Sequence, residues 1–122
     1  MTRTLITLAW LGLLSTTAQA LPSDIKVLAR FDLGYAKCET RFPHMRGHRD
    51  EAYLALWKVK PDAKHRAELA TVRKGGKYRQ ERQLALKSMD KGSGAEHEEK
   101  LKRQCEATWG ETLRNTPPAK AR

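Results

Sequence analysis

Strand-forming residues and long apolar runs are scarce in this chain. No segment alternates apolar with polar side chains, and after residue 20 the only β-branched apolar residues are Ile25, Val27, Val59 and Val72. Sheets are built from such alternating, β-branched segments, so a sheet-based fold is excluded. The longest apolar stretch lies within positions 5–14. A membrane-spanning helix needs about twenty apolar residues, and we therefore predict no membrane span.

Positions 1–20 match the layout of a secretory signal peptide. Arg3 supplies the positive start, the apolar stretch at 5–14 follows, and Ala18-Gln19-Ala20 offers the small-x-small pattern of a cleavage site. This pattern predicts cleavage before Leu21. We therefore expect an exported protein, periplasmic or secreted, whose working chain begins near that residue.

Cysteine is also rare, with Cys38 and Cys105 the only two in the chain. Large aliphatic residues are few after residue 20, so the core is thin for a chain of this charge and needs further stabilisation. Export places cysteines where disulfides persist, and a Cys38–Cys105 bond would contribute about 4 kcal/mol by closing a long loop. Two free thiols or an intermolecular bridge are the alternatives.

Helical spacing is the main structural signal after residue 20. Apolar residues at intervals of three or four follow Ser23, a predicted N-cap, up to Phe42, and Pro43 should end this first helix. Further helices are predicted over 49–58, from 61 to 74, over 77–89 and over 95–114. The prediction is an all-α bundle of four to five short helices in one domain, 21–115, followed by a disordered basic tail, 116–122. Gly75-Gly76 either breaks or bends a helix.

The same spacing predicts which side chains face the core. In the second helix the predicted apolar face consists of Ala52, Tyr53, Leu56 and Trp57. In the fourth helix the apolar positions are Tyr78, Leu84, Leu86 and Met89. The last helix has the most regular seam, Leu101, Cys105, Trp109 and Leu113. Because Cys38 and Cys105 both lie on such faces, the disulfide is expected to join the first and last helices.

Positive charge is the strongest functional signal. The formal net charge is +10, and the segment from Lys58 to Lys87 contains ten Lys or Arg residues against three acids. An anion-binding site is predicted where four cations surround Gly75-Gly76, namely Arg73, Lys74, Lys77 and Arg79. The expected function is non-enzymatic binding of an anionic partner: an acidic protein (as an inhibitor or immunity protein would bind), a lipid head group or a polysaccharide. Export argues against nucleic acid. A solvated helix face is the alternative interpretation.

The sequence also suggests two other functions. His44 and His48 are four residues apart, a spacing that places two imidazoles on one helix face, so a metal-binding protein is the second hypothesis. Pro43 and Gly47 flank the pair and disfavour a regular helix through it. A small exported enzyme is the third, but no complete set of catalytic residues is recognisable. No cofactor is predicted, and the sequence does not indicate an oligomeric state.

Overall fold

The structure, a computed structural model, describes residues 24–89 and 94–116. Its helices are α1 (Ile25–Arg41), α2 (Arg49–Leu56), α3 (Ala63–Lys74), α4 (Gly76–Ser88) and α5 (Ala95–Asn115), with a short 3₁₀ turn at Pro43–Met45 between α1 and α2. Within the described residues every regular element is helical. The predicted all-α bundle is therefore confirmed. The predicted signal peptide, 1–20, and positions 117–122 of the predicted tail lie outside the described residues.

Local chemistry explains where α1 begins and ends. The Asp24 side chain is the N-cap and accepts from the backbone N–H groups of Lys26 and Val27 at 3.1 and 3.3 Å. The predicted cap, Ser23, lies outside the described residues. At the other end the Phe42 N–H donates to the Cys38 carbonyl at 2.8 Å. Pro43 then has no N–H with which to continue the helix, so the chain turns there as predicted.

The pair Gly75-Gly76 breaks the helix rather than bending it. Gly75 has an extended backbone, with φ −78° and ψ 157°, and separates α3 from α4. The Gly75 N–H donates to the Val72 carbonyl at 3.1 Å, which closes the last turn of α3. The α3 and α4 helices therefore meet at a corner, and α4 returns to pack along α1.

The core consists of two clusters that follow each other along α1. The first cluster joins the N-terminal half of α1 to α2, α3 and α4 through Leu28, Ala29, Tyr53, Leu54, Leu69 and Tyr78. The second joins the C-terminal half of α1 to the 3₁₀ turn, α2 and α5 through Tyr35, Cys38, Met45, Ala52, Leu101 and Cys105. Phe31 packs against both clusters, with its ring 5.3 Å from that of Tyr53 and 5.7 Å from that of Tyr35.

The disulfide lies inside the second cluster. Cys38 of α1 and Cys105 of α5 are bonded, with their Cα atoms 5.7 Å apart and 67 positions between them in the sequence. Cys105 is fully buried. The predicted bond between the first and last helices is confirmed, and it fixes α5 to the C-terminal half of α1.

Several predicted core positions are wrong. Leu56 and Trp57 are 51% and 38% exposed, whereas their neighbours Leu54 and Ala55 are buried. The reason is that α2 is short and contacts α1, α3 and α5 together, so four consecutive residues are buried and no single apolar face exists. Three further leucines that were predicted to face the core are also exposed, namely Leu84, Leu86 and Leu113.

None of the helices within residues 24–89 and 94–116 combines the length and the apolarity that crossing a bilayer requires. Most of their buried apolar residues are instead gathered in the two clusters around α1.

Candidate functional site: the basic face of α3 and α4 and the histidine pair

Arg73, predicted to bind an anion at the α3–α4 corner, binds two carboxylates of the protein itself. Its Nε and Nη2 atoms donate to Asp32 of α1 at 2.8 and 3.0 Å, and its Nη1 donates to Asp50 of α2 at 2.6 Å. Asp32 is 1% exposed. Burial opposes the charge of Arg73, but the hydrogen bonds and negative charges of Asp32 and Asp50 outweigh it and raise the pKa of the guanidinium. Arg73 therefore joins three helices.

A tyrosine completes this buried network. The Tyr78 hydroxyl of α4 donates a hydrogen bond to Asp32. Burial, reinforced by the Asp32 carboxylate, raises the pKa of Tyr78 to about 12. Asp32 thus accepts from α3 and α4 at once, and the corner between these helices is held against α1 by polar as well as apolar contacts.

The other three predicted anion-binding residues lie on the surface. Lys74, Lys77 and Arg79 are exposed, and none forms an ion pair with a carboxylate of the described residues. Arg79 donates from Nη1 to the Lys74 carbonyl at 2.8 Å, which caps the end of α3 and places its guanidinium at the corner. The predicted anion-binding site at the corner therefore depends on these three side chains, because Arg73 faces the interior.

The corner is part of a larger basic surface. Of the ten cations in the segment from Lys58 to Lys87, three are paired with carboxylates outside it: Lys58 with Glu111, Arg66 with Glu51, and Arg73 as described. The remaining seven are exposed and have no ion pair with a described carboxylate. We call these seven the basic face: Lys60, Lys64, Lys74, Lys77, Arg79, Arg82 and Lys87.

Charge is distributed unevenly among the helices. Together, α3 and α4 contain eight Lys or Arg residues and two acids, whereas α5 contains four Lys or Arg residues and five acids. The positive charge of the described helices is thus concentrated in α3 and α4. A surface of this kind raises the local concentration of anionic partners and accelerates their encounter.

The histidine pair, His44 and His48, contacts an indole. His44 lies in the 3₁₀ turn and His48 precedes α2, so no continuous helix carries both. Their ring centroids lie 5.1 and 5.5 Å from that of Trp109, each in an edge-to-face arrangement. His48 Nδ1 also lies 3.9 Å from a Glu51 oxygen.

A third metal ligand is not provided by the described part of the chain. There, no group of three or more His, Cys, Asp or Glu side chains is arranged to hold a metal ion. Metal binding by His44 and His48 thus stays a prediction that rests on the two imidazoles alone.

Sequence reasoning missed the partners of Arg73, although a signal was present. Asp32 is four residues after Leu28 and three before Tyr35, so it lies on the apolar face of α1. A carboxylate at such a position requires a cation or several donors, because burying an unpaired charge is costly. The identity of that cation depended on the docking of α3, which the sequence pattern did not specify.

Comparison with protein-family models, curated proteins and solved structures yields no match to this chain. The function is therefore inferred from the residues and their geometry.

Proposed function

We propose that this protein is an exported, non-enzymatic binding protein that attaches to an acidic protein surface through the basic face of α3 and α4. The observation that carries the proposal is the set of seven exposed cations without described ion-pair partners, six of them on two consecutive helices and Lys60 just before the first. The Cys38–Cys105 disulfide supports a place of action outside the cytoplasm, since such bonds persist in oxidising compartments.

The breadth of the basic face favours a macromolecule over a small anion. Its residues extend from Lys60, before α3, to Lys87, in the last turn of α4. A helix of about twelve residues is about 18 Å long, so these cations do not converge on one point. Distributed charge of this kind steers a large partner and sets its orientation.

Two leucines favour a protein surface over a membrane or a polysaccharide. Leu84 and Leu86 are 52% and 41% exposed on α4, next to the basic residues. Because they are two positions apart, they lie on opposite flanks of the helix and do not form the single apolar edge that inserts into lipid. Protein interfaces combine apolar and charged contacts. A polysaccharide is a poorer partner for a surface that presents both kinds of group.

The test compares defined anionic probes and two matched double variants. Lys74→Glu with Lys77→Glu changes the corner, and Lys100→Glu with Lys102→Glu makes the same change in net charge on α5, where both lysines are exposed. The probes are an acidic glutamate-rich peptide, heparin and phosphatidylglycerol vesicles. Affinity is measured by calorimetry at about 50 mM and about 500 mM salt.

We expect the acidic peptide to bind the unmodified protein, to lose affinity at high salt, and to bind the corner variant about tenfold more weakly than the α5 variant. An equal loss of affinity in the two variants would mean that binding depends on net charge alone, and would refute a specific binding face. Preferential binding of heparin or vesicles would refute the protein partner. Circular dichroism of both variants controls for folding.

A further inference from the structure

A cavity of about 280 Å³ lies beside the disulfide, on the surface between the 3₁₀ turn and α5. Its lining includes Phe42, His44, Met45, Cys105, Glu106 and Trp109. None of the basic-face residues lines this cavity, so a ligand bound here would be independent of the proposed function.

The aromatic wall of the cavity is positioned by the bend after α1. Pro43 begins the 3₁₀ turn and sets Phe42 and His44 next to each other, with ring centroids 6.2 Å apart. The His44 ring in turn lies 5.1 Å from that of Trp109 on α5. His48 contacts the same indole at 5.5 Å without lining the cavity. Trp109 therefore contacts both imidazoles, and these contacts orient its indole.

The rim of the cavity carries one acidic group. Glu106 is exposed and forms no ion pair with a described Lys or Arg. The nearest cations along α5 are Lys102 and Arg103, one turn earlier, and Arg103 instead contacts Glu99 at 3.5 Å. Glu106 is thus a carboxylate beside aromatic rings in a protein that otherwise has excess positive charge.

Hydrogen-bonding groups are few in this lining. None of its residues is Ser, Thr, Tyr, Asn or Gln, and the Met45 carbonyl already accepts from the Tyr35 hydroxyl at 2.8 Å. A primary ammonium needs several acceptors for its N–H groups, whereas a quaternary ammonium needs none. Methylated cations are recognised by aromatic faces through cation–π attraction.

We propose that the cavity lined by Phe42, His44, Trp109 and Glu106 binds a quaternary ammonium group of the choline type. The aromatic rings contact the methyl groups and attract the positive charge, and the Glu106 carboxylate neutralises it. The group could belong to a free small molecule or to a lipid head group, since both present the same trimethylammonium.

The experiment is a titration followed by nuclear magnetic resonance. In the chain after the predicted cleavage site, Trp109 and Trp57 provide two indole N–H signals, and Trp57 is an internal reference because it contacts Tyr53 away from the cavity. Choline is compared with its uncharged carbon isostere, 3,3-dimethyl-1-butanol, in the same buffer. Phosphatidylcholine vesicles distinguish a lipid head group from a free ligand.

The variants are Glu106→Gln and the matched control Glu99→Gln, which removes the same charge one heptad earlier on the same side of α5. We expect choline to shift the Trp109 signal and leave Trp57 unchanged. Glu106→Gln should weaken binding about threefold to fivefold, and Glu99→Gln should leave it unchanged. Equal binding of the isostere, equal weakening by both variants, or no shift of Trp109 would each overturn the proposal.

Discussion

Asp32 shows how one buried charge organises a small core. A carboxylate inside a protein is costly unless donors surround it, and Asp32 accepts from two nitrogens of Arg73 and from the Tyr78 hydroxyl. These donors come from α3 and α4, and Asp50 of α2 binds the same guanidinium. Removing one member leaves the others buried and unpaired, so the cost of a single change should exceed the net contribution of the whole network.

Replacing Arg73 should therefore be severe. Arg73→Met keeps much of the side-chain volume but leaves Asp32 without its cation, and we expect a loss of about 3–5 kcal/mol in the free energy of unfolding, measured by urea denaturation. The control Arg66→Met removes the part-exposed pair with Glu51 and should cost no more than about 1 kcal/mol. Similar losses in the two variants would show that the buried network has no special importance.

The raised pKa of Tyr78 predicts a specific response to alkali. The pKa is about 12 in the folded protein against 10.0 ordinarily, so folding favours the protonated hydroxyl. The stability from this group is then complete below pH 10 and is lost as the pH rises toward 12. We expect the difference in unfolding free energy between the unmodified protein and Tyr78→Phe to be constant from about pH 7 to about pH 9 and to shrink above about pH 10. A difference that persists unchanged at pH 12 would contradict this assignment.

Among the elements, α2 ends in a strained residue. Lys58 has φ 58°, the left-handed conformation that glycine adopts most easily, and the Val59 N–H donates back to the Leu54 carbonyl at 2.8 Å. This is the arrangement of a Schellman motif, in which the residue after the helix is usually Gly. The conformation of Lys58 is fixed because the chain turns there to bring Val59 back to the core. At that point the Asn115 side chain of α5 donates to the Val59 carbonyl at 2.9 Å.

Lys58→Gly should consequently stabilise the protein. Relief of the left-handed strain is worth about 1 kcal/mol, and the lost contact with Glu111 is an exposed one of minor effect. The control is Lys60→Gly, at an exposed residue without positive φ, where glycine should only add disorder to the unfolded chain and lower stability. Thermal unfolding measures the stability of both variants. A lower melting temperature for Lys58→Gly than for Lys60→Gly would refute the strain.

At the scale of the whole molecule, a highly charged chain is held together by few apolar contacts and one covalent bond. The two core clusters meet at Phe31, and α5 is joined to the rest by packing on α2 and by the disulfide. Like charges on the basic face repel one another, which opposes compaction. The disulfide offsets this by restricting the unfolded chain over most of its helical length.

Loss of the disulfide should accordingly reduce stability more than any surface change. For Cys38→Ala with Cys105→Ala we expect a decrease of about 2–5 kcal/mol in the free energy of unfolding. Chemical denaturation of the variant and of the reduced unmodified protein should give similar values. If the double variant unfolded at the same denaturant concentration as the oxidised protein, the interpretation that the small apolar core needs the disulfide for stability would be wrong. Added salt should partly restore the variant, because it screens repulsion within the basic face.

The sequence by itself determined the features that depend on neighbouring residues. Pro43 ends α1 because it lacks an N–H, and two cysteines on apolar helix faces allow one internal bond. The excess of Lys and Arg between Lys58 and Lys87 is likewise a property of the sequence. Each of these features results from local chemistry that acts in the same way wherever the helices dock.

Only the tertiary structure decided which charged and aromatic groups meet. Arg73 is one of ten similar cations in its segment, and only the packing of α3 on α2 and α4 brings it to Asp32 of α1, 41 positions away. Trp109 faces His44 and His48 because the disulfide and the turn at Pro43 bring α5 beside them. Burial in α2 was equally unpredictable, since a short helix surrounded by three others has no apolar periodicity. Such contacts depend on long-range packing, in which many residues contribute small energies and no short pattern records the result.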